Sequence, residues 1–134
     1  MSDKVVRVVQ YGLGPIGSAT ARHITERKGM ELVGAVDIDQ TKIGRDVGEV
    51  IGLASPVGFP VVKELSQVLE RTEADVVVHT TGSFFDVFES QIIGILKEKL
   101  NIVSTAEEMS FPWLAHADAA ARIDAAARQA GKTV

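Results

Sequence analysis

Gly12-Leu13-Gly14-Pro15-Ile16-Gly17 follows the β-branched run from Val5 to Gln10 and opens a helical pattern. Three glycines at G-x-G-x-x-G spacing are weak evidence alone. Here the context is complete: a strand before, a helix after, and Asp37 at the end of the next apolar run, Leu32 to Val36. Each glycine has its own reason. Gly12 permits the tight turn, Gly14 lets the backbone approach a pyrophosphate, and Gly17 lets helix and strand pack closely. Pro15 suits the first helical turn, where its missing N–H costs little. Pro15 and Ile16 stand at the mouth of this helix as candidate cofactor contacts, and the helix N-terminus offers unpaired N–H groups and a positive dipole end to phosphates.

Outward from this motif, strands and helices alternate. Ile16, Ala19, His23 and Ile24 are expected on the inner side of the first helix, which Gly29 closes. Ile38 to Phe59 reads as a long loop with a short helix near Asp46 to Ile51. Pro60 to Val62 reads as a short third strand, and Lys63 to Arg71 as a helix with Leu65, Val68 and Leu69 inward. Val76, Val77 and Val78 mark a fourth strand from Asp75 to His79. Ser83 is expected to cap the next helix with Asp86 three residues on, and Phe84, Phe88, Ile92 and Ile95 to form its buried stripe. Asn101 to Val103 is the fifth strand. The last helix runs from about Asp118 to Ala130, with ion pairs Asp118–Arg122 and Asp124–Arg128 and Gly131 as its stop. This alternation predicts an α/β fold, a Rossmann-type doubly wound parallel sheet with helices on both faces. Residues 1–134 read as one domain. Lys132-Thr133-Val134 reads as the start of a sixth strand, so the domain is expected to be cut there, with a C-terminal substrate domain absent.

The totals narrow the function classes. The formal net charge of −4 comes without a basic tract, so a nucleic-acid surface is not expected. There is no cysteine, which excludes disulfides, thiolate metal sites and cysteine nucleophiles. No signal peptide and no apolar run of membrane-spanning length is present, and a cytoplasmic protein is expected. The three histidines have no ligand-like spacing, so no metal site is predicted.

The remaining candidates lie at predicted strand ends, where open parallel sheets bind ligands. Asp37 is expected to accept hydrogen bonds from an adenosine ribose, which favours NAD because a carboxylate repels a 2′-phosphate. Lys42 and Arg45 follow in the loop. They are either solvated charges or groups that offset this repulsion and admit NADP, so NAD and NADP both stay open. His79-Thr80-Thr81-Gly82 leaves the fourth strand and Ser104-Thr105 the fifth; these loops should flank the ribose and nicotinamide. Gly82 allows close approach and the threonines can donate hydrogen bonds. His79 fits either this role or that of a satisfied, partly buried histidine. Glu107-Glu108, just past the fifth strand, fits either an acid/base pair at the nicotinamide or two charges opening a short helix.

The glycine motif, Val36-Asp37, His79-Thr80-Thr81-Gly82-Ser83 and Asn101-Ile102-Val103-Ser104-Thr105-Ala106-Glu107-Glu108 together resemble the 2,4-diaminopentanoate dehydrogenase family, related to the N-terminal domain of dihydrodipicolinate reductase. The resemblance runs over essentially the whole chain. It implies an oxidoreductase acting on CH–NH2 groups with NAD(P), a small-molecule amine substrate, and acid/base chemistry at the Glu107-Glu108 pair, with Glu108 favoured. It also implies a C-terminal α+β domain that supplies substrate contacts and a homo-oligomer interface, so that this domain alone is inactive. A dihydrodipicolinate reductase-type domain and a non-catalytic NAD(H)-binding module are the alternatives.

Overall fold

Burial on both faces is what the valine-rich runs demand, and the chain meets that demand with one parallel sheet. The computed structural model describes residues 3–134. Strands β1 (Val6–Tyr11), β2 (Met30–Val36), β3 (Val76–His79) and β4 (Asn101–Ser104) lie in the order β2-β1-β3-β4. Alternation splits the core. Val8 of β1 joins a cluster with Ala21 and Ile24 of α1 (Pro15–Glu26) and Val47 of the short α2 (Val47–Val50). Its neighbour Val9 joins the opposite cluster, with Val68 of α3 (Leu65–Leu69), Phe88 and Ile92 of α4 (Phe85–Lys97) and Ile123 of α5 (Ala117–Ala130). From β1 the chain crosses to β2 over one face, and from β3 to β4 over the other. The two steps run in opposite directions along the sheet, so opposite faces are what a common right-handed crossover requires. The expected Rossmann-type sheet with helices on both faces is therefore present.

Four local expectations are corrected. Pro60 to Val62 is not a strand: Val62 alone bridges Val36, while Pro60 bridges Asp46 in the antiparallel sense. The N–H and carbonyl of Val61 bond to Arg45 and Gly44 of the preceding loop, so they are unavailable for a ladder along β2. The inner face of α1 is Gly17, Ala21 and Ile24; Ile16 and His23 are exposed. Helix α4 starts one residue late, at Phe85, with no side-chain cap from Ser83. Phe85 is consequently buried and Phe84 exposed, and the stripe is Phe85, Phe88, Ile92 and Ile95. Arg122 pairs with Glu89 across α4 and α5 rather than with Asp118, while Arg128 and Asp124 do pair at 2.8 Å.

Gly131 ends α5 in the left-handed region at φ 66°. Beyond it the Thr133 carbonyl accepts the Ile102 N–H at 2.9 Å, which lays this segment along the outer edge of β4. No helix among the described residues is long and apolar enough to cross a membrane.

At the N-terminal edge of the sheet, Asp75 ties β3 to β1. Its carboxylate accepts the Arg7 backbone N–H at 2.8 Å and two guanidinium N–H groups at 3.1 and 3.2 Å. These bonds hold the Asp75 carboxyl down to about 2. A carboxyl whose pKa is lower folded than unfolded stabilises above its unfolded value, about 3.9, and loses that contribution as pH falls. Asp75→Asn is therefore less stable than the parent at neutral pH, and urea titrations should show the gap closing between about pH 4 and pH 2.

Candidate functional site

All four strands run the same way, so Tyr11, Val36, His79 and Ser104 end at one edge. The glycine loop turns there. Gly12 has φ 101°, which favours glycine, and its N–H donates to the Val36 carbonyl at 2.8 Å. A Cβ on Gly17 would lie 1.9 Å from the Gly12 carbonyl oxygen and 2.6 Å from Thr80 Oγ1. The chain itself thus requires glycine at 12 and 17. Gly14 is different. Its φ of −69° suits any residue, and beyond its chain neighbours no protein atom lies within 4 Å of where its Cβ would be.

Gly14 faces a cavity of about 220 Å³ whose walls include Tyr11, Asp37, Ile38, Thr81, Val87 and Gln91. It is also the N-cap of α1, which has neither a side-chain cap nor an acidic residue in its first turn. The N-terminal dipole end and its N–H groups therefore open on this space with no side-chain cap and no acidic residue in the first turn of the helix. Pro15 and Ile16 stand exposed at the same mouth. Asp37 is bound into the loop: one oxygen accepts the Leu13 N–H at 2.7 Å and the other the Asp39 N–H at 2.9 Å. Each carboxylate oxygen retains a second lone pair for a hydroxyl donor. Lys42 donates to the Leu13 carbonyl at 2.8 Å, so it lies against the glycine loop. Arg45 instead pairs with Glu49 at 2.7 Å and is not part of the cavity wall.

Thr80 braces the loop from β3. Its hydroxyl donates to the Gly12 carbonyl at 3.0 Å and accepts from Gln10 Nε2 at 3.0 Å. Thr80 and Thr81 both line the cavity. A Cβ on Gly82 would make only ordinary contact with Val87 at 3.5 Å, so packing does not demand glycine there. His79 is fully buried. Its Nε2 lies 2.8 Å from Gln91 Oε1 and 2.9 Å from Thr81 Oγ1, and its Nδ1 lies 2.9 Å from Ser104 Oγ. The amide oxygen only accepts, so Nε2 carries the proton and Nδ1 accepts from the Ser104 hydroxyl. Burial pushes the imidazole pKa down and keeps the ring neutral. His79 and Ser104 thus form a polar bolt behind the cavity, while Thr105 is exposed beyond it.

Glu107 is exposed at the start of the 3-10 turn Glu107–Met109. Glu108 is half-buried, and Oε2 accepts the Phe85 N–H at 2.9 Å. This carboxylate supplies from a distant loop the cap that Ser83 does not. Glu108 is not in the cavity wall; its tie is to Phe85, two residues before the wall residue Val87. Sequence reasoning missed Gln91, Val87, Ile38 and Tyr11 as wall residues. Gln91 carried a signal: it is a polar position beside the buried stripe at Phe88 and Ile92. Among the described residues there is no group of three or more His, Asp or Glu able to hold a metal ion.

A parallel α/β sheet with a glycine loop opening α1 and an acidic residue ending β2 defines a Rossmann-type domain. Residues 6–107 match the family model for dihydrodipicolinate reductase, N-terminus, and the chain belongs to that family. It is 31% identical to 2,4-diaminopentanoate dehydrogenase of Acetoanaerobium sticklandii, over 96% of this chain and 36% of that protein. It is 39% identical to 4-hydroxy-tetrahydrodipicolinate reductase of Methanococcus maripaludis, over 59% of this chain and 30% of that protein. Among solved structures, an amine dehydrogenase from Mycobacterium smegmatis superposes with a TM-score of 0.89 at 31% identity, covering 95% of this chain and 37% of that one. The WlbA dehydrogenase from Bordetella pertussis, in complex with NADH and UDP-GlcNAcA, shares the fold at 21% identity with a TM-score of 0.70, over 98% of this chain and 38% of that one. The chain spans little more than a third of the length of the three dehydrogenases, and 30% of the reductase is matched.

Gly14 and Gly17 should separate in substitution experiments. Gly17→Ala forces a Cβ into backbone and should cost about 3 kcal/mol or more. Gly14→Ala meets no protein atom and should cost no more than about 1 kcal/mol, the scale of an N-cap change. Denaturant midpoints of the two variants check this.

Proposed function

We propose that this domain binds NAD or NADP with the pyrophosphate over Gly14 and the adenosine ribose at Asp37. The observation that carries the reading is the open space at Gly14: its glycine has no reason within the protein, and it stands where a helix N-terminus meets a cavity. When bound there, the nicotinamide serves as hydride acceptor or donor. The chain's own part is to hold the phosphates by backbone N–H groups, the ribose by Asp37, and the loop by Thr80. Lys42, already at the loop, is the group suited to meet a 2′-phosphate.

For the reaction we infer NAD(P)-dependent oxidative deamination of a small diamino or amino acid-like amine, 2,4-diaminopentanoate being the model. In the balanced change the substrate ammonium, NAD(P)⁺ and water give the ketone, ammonium ion, NAD(P)H and one proton. The C–H bond gives up a hydride, the C–N bond breaks, and the oxygen of water becomes the carbonyl oxygen. Glu108 is assigned the proton transfers, taking a proton from the ammonium or from the attacking water. The likeness to the reductases supports the second reading, a dihydrodipicolinate reductase-type domain. The dehydrogenase reading is favoured because its relative aligns over 96% of the chain, which takes in Glu108, whereas the family model stops at residue 107. We place substrate contacts and self-association in the further length that these relatives possess. A cytoplasmic location belongs to the same reading.

Calorimetric titration with NADH and NADPH should show binding, and no heat with either at millimolar concentration would refute the cofactor assignment. Asp37→Asn keeps an acceptor for the Leu13 N–H but removes the charge; the NADPH-to-NADH affinity ratio should rise by about tenfold, or 1.4 kcal/mol. With the amine as substrate and the whole protein as enzyme, Glu108→Gln should lower turnover by about 10²- to 10⁴-fold at unchanged NAD(P)H affinity. Glu107→Gln is the control and should remain active.

A further inference from the structure

Glu108 is not a free carboxylate. Besides the Phe85 N–H, its Oε2 lies 3.2 Å from Nε2 of His116. His116 is itself built in. It is the N-cap residue of α5, its N–H donates to the Pro112 carbonyl at 2.8 Å, and its ring packs on Phe85 with centroids 4.6 Å apart. The starts of α4 and α5 and the loop after β4 therefore meet on two side chains. Both contacts fall on Oε2, and among the described residues no donor meets Oε1.

Stability alone does not call for this arrangement. One N–H satisfies a helix cap. The side chains of His116 and Glu108 are 34% and 31% exposed, and ion pairs this open add little to stability. What a second contact on the same oxygen does accomplish is to restrict rotation of the carboxylate. We propose that His116 is a positioning residue for Glu108, forming an imidazole–carboxylate dyad that leaves Oε1 as the oxygen offered to the amine proton. This rests on the amine reading of Glu108. In the balanced reaction the proton passes to and from Glu108; His116 only holds it.

The test compares His116→Leu, which cannot donate, with His116→Gln, whose amide can, and with Glu108→Gln, all in the full chain. Two readouts are needed: kcat and KM for oxidation of 2,4-diaminopentanoate, and hydrogen exchange at the Phe85 amide. His116→Leu should lower kcat by about ten- to a hundredfold, the scale of a misplaced catalytic group. Phe85 protection and NAD(P)H affinity should stay close to those of the parent, and His116→Gln should recover most of kcat. Parent-like kcat in His116→Leu, with Glu108→Gln inactive, overturns the positioning role and leaves the amine reading standing. Loss of Phe85 protection in His116→Leu without rescue by His116→Gln makes His116 structural, which also overturns it. Full turnover in Glu108→Gln overturns the amine reading, and the dyad's role with it.

Discussion

The contact between Gly17 and the Gly12 carbonyl governs the rest of this domain. With 1.9 Å between an imagined Cβ and that oxygen, α1 sits on the turn as closely as backbone allows. The approach sets the helix phase, so that positions 17, 21 and 24 face the core. It also sets the direction of the helix N-terminus, and thereby the wall of the cavity at Gly14. Thr80 closes the same knot from β3, and Asp37 and Lys42 close it from the β2 side, each through the backbone of the loop. A small residue in one place thus fixes four elements relative to one another.

Polar groups do the equivalent work behind the cavity. Buried polar atoms are tolerated when paired, and His79, Ser104, Thr81 and Gln91 pair among themselves. Gln10 uses its amide nitrogen on Gly12 and Thr80 but leaves Oε1 buried without a partner. Such an atom costs about 1–3 kcal/mol. The same amide ties the glycine loop to Thr80 at the end of β3. At the next strand the solution is different: Glu108 reaches back to the first N–H of α4, so the loop after β4 is secured by the helix before it.

Much of this was legible in the residues themselves. The G-x-G-x-x-G spacing, the run into Asp37 and the triple valine of β3 are local patterns, each set by backbone conformation or by the period of a strand. They determined the fold class, the glycine loop, the acidic end of β2 and the edge of the sheet at which that loop turns. The glycine roles at 12 and 17 followed from the same spacing, because a φ of 101° favours glycine and the close backbone approach at 17 leaves no room for a Cβ.

Tertiary structure decided what depends on residues far apart in the chain. No window of sequence around Ser83 shows that the α4 cap comes from Glu108, or that Phe85 rather than Phe84 is therefore buried. Arg122 had an oppositely charged residue four positions away and took Glu89 on α4 instead, because α4 and α5 lie side by side. Arg45 and Lys42 look equivalent in sequence; the fold turns one to Glu49 and the other to the glycine loop. His116 gave no signal at all. Its position against Glu108 and Phe85 exists only once the starts of two helices and the end of a strand are brought together, since local periodicity records which face of an element is apolar and not which partner another element presents to it.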